Sequence, residues 1–363
     1  MGLWEKRDDM IVHEVEPFNA EPPRGELADR VLTPVESFYS RNHGPIPELN
    51  PQAWRLRVGG LVDRPLELSL EELHARFTPR TLVATLQCAG NRRAGFIEVR
   101  DIPGEIPWGS AATSTAEWTG TSLADVLSVA GLGPHAAHVA FAAPDVSPLA
   151  NPPQPYGGSI TVQKALSGEV LLAWAMNGQP LPAVHGAPVR VVVPGYIGAR
   201  SVKWVHRITV GQHPSDNYFQ ATAYRLLLAK TDPPTAGPAD GLPLGAVAVN
   251  ADILRPDDGD TLPAGPVQIT GYAFTGDHHS ITRVDVSLDG GRSWRPADLD
   301  DQISPWAWQH WRTILKLPVG DTEITARAWD TSGATQPESP VPLWNPKGYV
   351  NNSWARIRVT GQR

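Results

Sequence analysis

The stretch "AKTDPPTAGPADGLPLG" (229–245) constrains the fold more than any other part of the chain. It is dense in proline, glycine and aspartate. Proline has no amide proton to give a ladder or helix, and glycine favours turns, so no regular element runs through it. The chain is therefore expected to divide there, into residues 1–235 and 236–363. Its length of 363 residues agrees, since single cores stop growing at roughly 250–300.

The two parts follow different patterns. In the first, "SLEEL" sets Ser69 three residues before Glu72, a capping box that predicts a helix over 69–76. "TSLADVLSVAGL" repeats the spacing with Ser122 and Asp125. Its Leu123, Val126, Leu127 and Ala130 share one helical face, and Gly131 ends it. "PVRVVVPGY" (188–196) is a β-branched run that predicts a strand buried on both faces. Beyond the break, "VQITGYAF", "RVDVSLDGGRSWRPA", "TEITARAWDTSG" and "WARIRVT" alternate apolar and polar residues as strands do. Asp289-Gly290-Gly291 suits a tight hairpin. The expected class is α+β: a mixed α/β domain, then an immunoglobulin-like β-sandwich of about 120 residues.

Charge narrows the function. The formal sum is 31 − 38 = −7, which disfavours nucleic acid and anionic membrane surfaces as partners. No apolar run approaches the roughly 20 residues of a membrane helix. The N-terminus shows neither a secretory nor a twin-arginine pattern. One cysteine forms no internal disulfide, so a cytoplasmic location is the expectation.

That cysteine, Cys88, lies in "TLVATLQCAGNRR" (81–93). Gly90 and Asn91 are turn formers, so the thiol is expected where a strand ends. Arg92 and Arg93 are costly to bury unless anions pair with them, and their charge is expected to lower the thiol pKa. A buried structural cysteine, a nucleophile and a soft metal ligand all remain open. Eleven histidines are present, but none is marked as a catalytic base. A single thiolate suffices for a metal only when a cofactor brings further soft ligands.

"LQCAGNRR" resembles the signature of the sulfite oxidase family of molybdenum enzymes. "EPFNAEPP" (16–23), "FYSRNHGPIP" (38–47), "MNGQPLPAVHGAPVRVVVPGYIGARSVKW" (176–204), "VDVSLDGGRSW" (284–294) and "WNPKGYVNNSW" (344–354) resemble family segments in family order. The similarity is to the plant-type form, with a molybdenum domain, a dimerisation domain and no haem domain. It implies molybdopterin and molybdenum as cofactor, with Cys88 as the one protein ligand to the metal. It implies that Tyr39, Ser40, Arg41, Asn42 and His43, then Asp145, Val146 and Ser147, bind the pterin and its phosphate. His185, Arg190, Ser201, Val202 and Lys203 join them by the same resemblance. Arg41, Arg93, Trp108, Tyr224 and Lys347 would form the substrate pocket.

The implied reaction is oxidation of sulfite to sulfate by oxygen-atom transfer, in a homodimer joined through the C-terminal domain. The electron acceptor stays open between oxygen and a separate carrier. A nitrate reductase-like or other oxyanion oxidoreductase is the alternative, as is a molybdopterin carrier without turnover. A carrier, however, would not need Cys88, Arg93 and Tyr224 together. One departure matters. The family writes "WNLRG" where this chain has "WNPKG", so Lys347 replaces a forked guanidinium with a point charge. Weaker sulfite binding is expected. "NNSW" (351–354) also resembles the nitrate reductase form.

Overall fold

The computed structural model describes residues 2–363. In chain order the main strands of the first domain are β1 (Arg55–Gly60), β2 (Leu66–Ser69), β3 (Arg80–Gln87), β4 (Thr113–Ser122), β5 (His138–Ser147), β6 (Gln154–Thr161), β7 (Leu171–Met176), β8 (Arg190–Val192) and β9 (Arg207–Gly211). One sheet runs β2-β1-β9-β5-β6, in which only β1 and β9 are parallel. The other runs β7-β4-β3, all antiparallel, and β8 also pairs with β7.

Local chemistry sets the helices. Ser69 caps α1 (Leu70–Arg76) through the full capping box with Glu72. A short α2 (Arg93–Ile97) follows the cysteine turn. α3 (Leu123–Ala130) buries Leu123, Val126, Leu127 and Ala130, and Gly131 ends it at φ 69°. The second capping box does not close. Ser122 Oγ accepts from the Ala124 amide, and Asp125 pairs with Arg80 instead. The run 188–196 is also shorter as a strand than its β-branching suggests. Only Arg190–Val192 pair, because Pro188 and Pro194 have no N–H to continue the ladder.

The second domain contains β10 (Asn250–Arg255), β11 (Gly265–Phe274), β12 (Ile281–Ser287), β13 (Gln309–Leu317), β14 (Gly320–Asp330) and β15 (Ala355–Gln362). β10-β11-β13 form one layer and β15-β14-β12 the other. Ala251 and Ile253 of the first layer share a core with Val284, Val286, Ile324 and Ile357 of the second. Gly290 and Gly291 turn the hairpin after β12 at φ 71° and 88°. Among the described residues, no helix is long and apolar enough to cross a membrane.

The stretch 229–245 is not an extended tether. Arg225–Leu226 pairs antiparallel with Leu242–Pro243 and closes a loop between them. Turn-rich composition supports a folded-back loop as readily as a linker, and the expected boundary at 235/236 falls inside it.

The domains meet at the cysteine turn. Arg92 has left-handed backbone (φ 64°). Its Nη1 donates to the Ser353 carbonyl at 2.7 Å and its Nη2 to the Trp354 carbonyl at 3.1 Å. Asp252 lies 3.5 Å from its Nε. In return, Asn351 Nδ2 donates to the Arg92 carbonyl at 2.8 Å and the Val350 amide to that of Ala89 at 2.9 Å. Replacing Arg92 by Ala strands the Trp354 carbonyl and a buried carboxylate, while the Ser353 carbonyl keeps only its bond from Gln336. We expect a loss of about 3–5 kcal/mol, read as a lower unfolding midpoint in denaturant. Arg92→Lys should fall between, keeping the charge without the fork.

Candidate active site

Cys88 follows β3 directly. Its amide donates to the Ala112 carbonyl at 2.9 Å, and its Sγ accepts from the Gly90 amide at 3.4 Å. Gly90 must be small: a Cβ there would meet the Arg93 guanidinium at 2.6 Å. Burial pushes the Cys88 thiol pKa up, and Arg93 and Arg41 only oppose it. The sequence expectation of a lowered pKa is thus corrected, since desolvation outweighs two nearby cations.

Cys88 opens on a narrow cavity walled by Tyr39, Ser40, Arg41, Asn42 and His43 on one side. Asp145, His185, Arg190, Ser201 and Lys203 wall the other. Its charge is lopsided. Arg41, Arg190 and Lys203 face a single carboxylate, Asp145. A further cation, Lys6, stands behind His185, its Nζ 2.6 Å from His185 Nε2 and bonded to the Val35 and Phe38 carbonyls. Each group registers the strain of burial. Burial lowers Lys6 to about 7 and Arg190 to about 10. Burial, then Arg190, holds Lys203 well below the usual lysine range, and burial keeps His185 neutral. Asp145 is pushed up to about 7 by burial, against Lys203.

The cations currently satisfy themselves on neutral oxygens. Arg190 donates to the His185 and Ser201 carbonyls at 3.0 and 3.1 Å. Lys203 donates to Asn42 Oδ1 and to the Val184 carbonyl. These contacts draw the walls together, leaving about 60 Å³ free. Ser40 Oγ and Asp145 Oδ1 are buried without partners. Cations on weak acceptors and unpaired polar atoms suit a polar, polyanionic cofactor whose phosphate oxygens would replace the carbonyls.

A second, wide cavity of about 920 Å³ shares Arg41, His43 and Tyr224 with the narrow one. Tyr224 Oη is 2.6 Å from His43 Nε2. Burial raises the phenol and lowers the imidazole, so both are neutral where they share this hydrogen bond. Lys347 lines this cavity with Glu105, 3.0 Å away.

Not every expected residue reaches a cavity wall. Val146 lies on the surface, 49% exposed, because alternation along β5 turns it outward. Ser147 acts through the backbone, its Oγ donating to the His43 carbonyl at 2.6 Å. Val202 is packed in the core, and its carbonyl accepts from the Val191 amide. Trp108 is fully buried, edge-on to His13 at 4.8 Å, with its Nε1 unpartnered. Arg93 lines neither cavity. Its guanidinium is held by the Ile106 and Lys347 carbonyls and by Glu105. Lys6, Glu105, Tyr156 and Tyr349 were not singled out by sequence. Tyr156, in "YGGSIT", and Tyr349, in "WNPKGYVNNSW", sit in segments with a recognisable pattern, whereas Lys6 and Glu105 do not.

A lone cysteine beside a cationic cavity defines a class: proteins that hold an anionic, metal-bearing cofactor through one thiolate. Comparison with known proteins agrees. Residues 43–219 match the family described as oxidoreductase molybdopterin binding domain, and residues 244–362 the Mo-co oxidoreductase dimerisation domain. A sulfite oxidase of Gallus gallus is 42% identical over 95% of this chain and 76% of its own. One from Arabidopsis thaliana is 37% identical over 97% and 94%. The sulfane dehydrogenase SoxCD of Paracoccus pantotrophus superposes with a TM-score of 0.82 at 27% identity, over 96% of this chain and 86% of that one. The chain belongs to the sulfite oxidase family of molybdopterin oxidoreductases.

Lys6 gives a pH test. The folded chain releases its proton near 7, and a free lysine does so at 10.5. Between these values the unfolded chain holds more protons, so stability rises with pH. We expect cofactor-free protein to gain stability from neutral to alkaline pH. Lys6→Met should reduce that slope by up to about 1.4 kcal/mol per pH unit, measured as denaturant stability against pH.

Proposed function

We propose that this chain oxidises sulfite to sulfate. The observation that carries the reading is the shared wall of Arg41, His43 and Tyr224, which joins the cavity of Cys88 to the wide, solvent-facing one. When bound, the molybdenum cofactor supplies the transferable oxygen and takes up two electrons. Cys88 is the thiolate that would hold the metal. Arg190, Lys203 and His185 would hold the pterin and its phosphate, with Ser40 and Asp145 offering their unpaired oxygens.

The chain's own groups then handle an anion and protons. Arg41 presents a guanidinium where both cavities meet, and Lys347 adds a point charge from the far wall. Arg93, pinned between the two domains, contributes field without moving. Conversion of sulfite and water to sulfate releases two protons with the two electrons. Tyr224 and His43 form a path for a proton, since the neutral phenol and neutral imidazole are already hydrogen-bonded to each other. Tyr349 stacks on Tyr224 at 5.4 Å and shields it from bulk water. The C-terminal sandwich would join two copies, and an external acceptor would remove the electrons.

The test is anaerobic addition of sulfite to molybdenum-loaded protein, following the thiolate-to-molybdenum absorption. The band should bleach. An unchanged band would overturn the reading, and nitrate added to chemically reduced protein is then the next anion. Cys88→Ser should abolish turnover while the circular dichroism spectrum stays that of the parent.

A further inference from the structure

The wide cavity is not a cationic funnel. Arg41, Arg100, Lys230 and Lys347 line it with four positive charges. Glu14, Asp101, Glu105 and Asp232 line it with four negative ones. The formal sum is zero, whereas a site that gathers small dianions calls for an excess of fixed cations. One carboxylate cancels charge where it matters most. Glu105 Oε2 lies 3.3 Å from Arg93 Nη2, and its Oε1 lies 3.0 Å from Lys347 Nζ. Both of its oxygens are therefore turned to cations, one to Arg93 of the cysteine turn and one to Lys347 of the cavity wall. The three groups sum to 1 + 1 − 1 = +1. Without Glu105 the two cations would carry +2, so the carboxylate halves the charge they offer alongside Arg41.

The arrangement is rigid on the arginine side. Arg93 also donates to the Ile106 carbonyl at 2.8 Å and to the Lys347 carbonyl at 3.0 Å. A Cβ on Gly348 would meet the Arg93 side chain at 2.5 Å, so the segment carrying Lys347 is packed against it. Glu105 cannot be displaced by a swing of Arg93. An incoming anion meets Lys347 with its partner already in place.

We propose that Glu105 is a specificity-determining residue: it limits the pocket's charge so that singly charged oxyanions are preferred over doubly charged ones. The substrate form taken is then the protonated, monoanionic one, and a dianionic product such as sulfate is bound weakly and leaves readily. This rests on the reading that the cavity admits an oxyanion.

Sulfate and nitrate serve as dianionic and monoanionic probes, titrated by calorimetry into molybdenum-loaded protein. Glu105→Gln should tighten sulfate by about tenfold and nitrate by about threefold, because Coulomb energy scales with probe charge. The variant's sulfate affinity should also fall more steeply with added salt. Glu105→Asp, which keeps the charge, should keep the parent ratio of the two affinities. An unchanged sulfate-to-nitrate ratio in Glu105→Gln, or equal weakening of both, would make Glu105 a structural brace and overturn the proposal. The sulfite reading fails separately, by an unbleached absorption band in the parent protein, whatever that ratio does.

Discussion

The fork of Arg92 across the domain seam is the contact on which the site depends. A cysteine that is to hold a metal needs a fixed direction, and a turn of small residues does not provide one alone. Here the turn enters a left-handed conformation at Arg92, which is unfavourable for a side chain with a Cβ. The guanidinium offsets that cost by bonding two carbonyls of the sandwich domain. Asn351 and Val350 answer with two bonds to the turn's own backbone. The thiol's position is thus set by the second domain as much as by the strand that precedes it.

Two cavities with opposite electrostatic logic meet at Arg41, His43 and Tyr224. The narrow one concentrates positive charge in a desolvated space, and burial displaces Asp145, His185, Arg190 and Lys203 from their ordinary ranges. Such a cavity favours a bound polyanion because binding removes an existing penalty as well as making bonds. The wide one interleaves charges of both signs and stays near neutral. A resident cofactor and a transient substrate need this difference. The first must be retained, and the second must leave once changed.

Much of the fold was legible because it rests on local rules. The Ser69 capping box, the apolar face of α3 and the Gly290-Gly291 turn require only neighbours in sequence. Tyr39 to His43, His185, Arg190 and Lys203 were legible through segment resemblance, and the structure brings them to one cavity. What failed to show was pairing at long range. Nothing in "LWEKRDD" marks Lys6 as a buried lysine, since its acceptors Val35, Phe38 and His185 lie in other segments. Val146 and Val202 were carried by motif position, which does not say toward which side of a strand or loop a residue points. Proline content marked 229–245 as a break, yet it could not distinguish a tether from a loop that folds back over the wide cavity.

Lys347 shows how far a single departure from a pattern can be read. Sequence alone compares its charge with that of arginine and finds a lost fork. The structure adds that the lysine has a partner, Glu105, from the other domain. A lone cation and a paired cation differ more, for an approaching anion, than lysine differs from arginine. Changing Lys347 to Arg would keep Glu105 in reach and so keep its cancelling charge. The charge of the pocket belongs to the pair, and the pair exists only because the sandwich domain is docked against the cysteine turn.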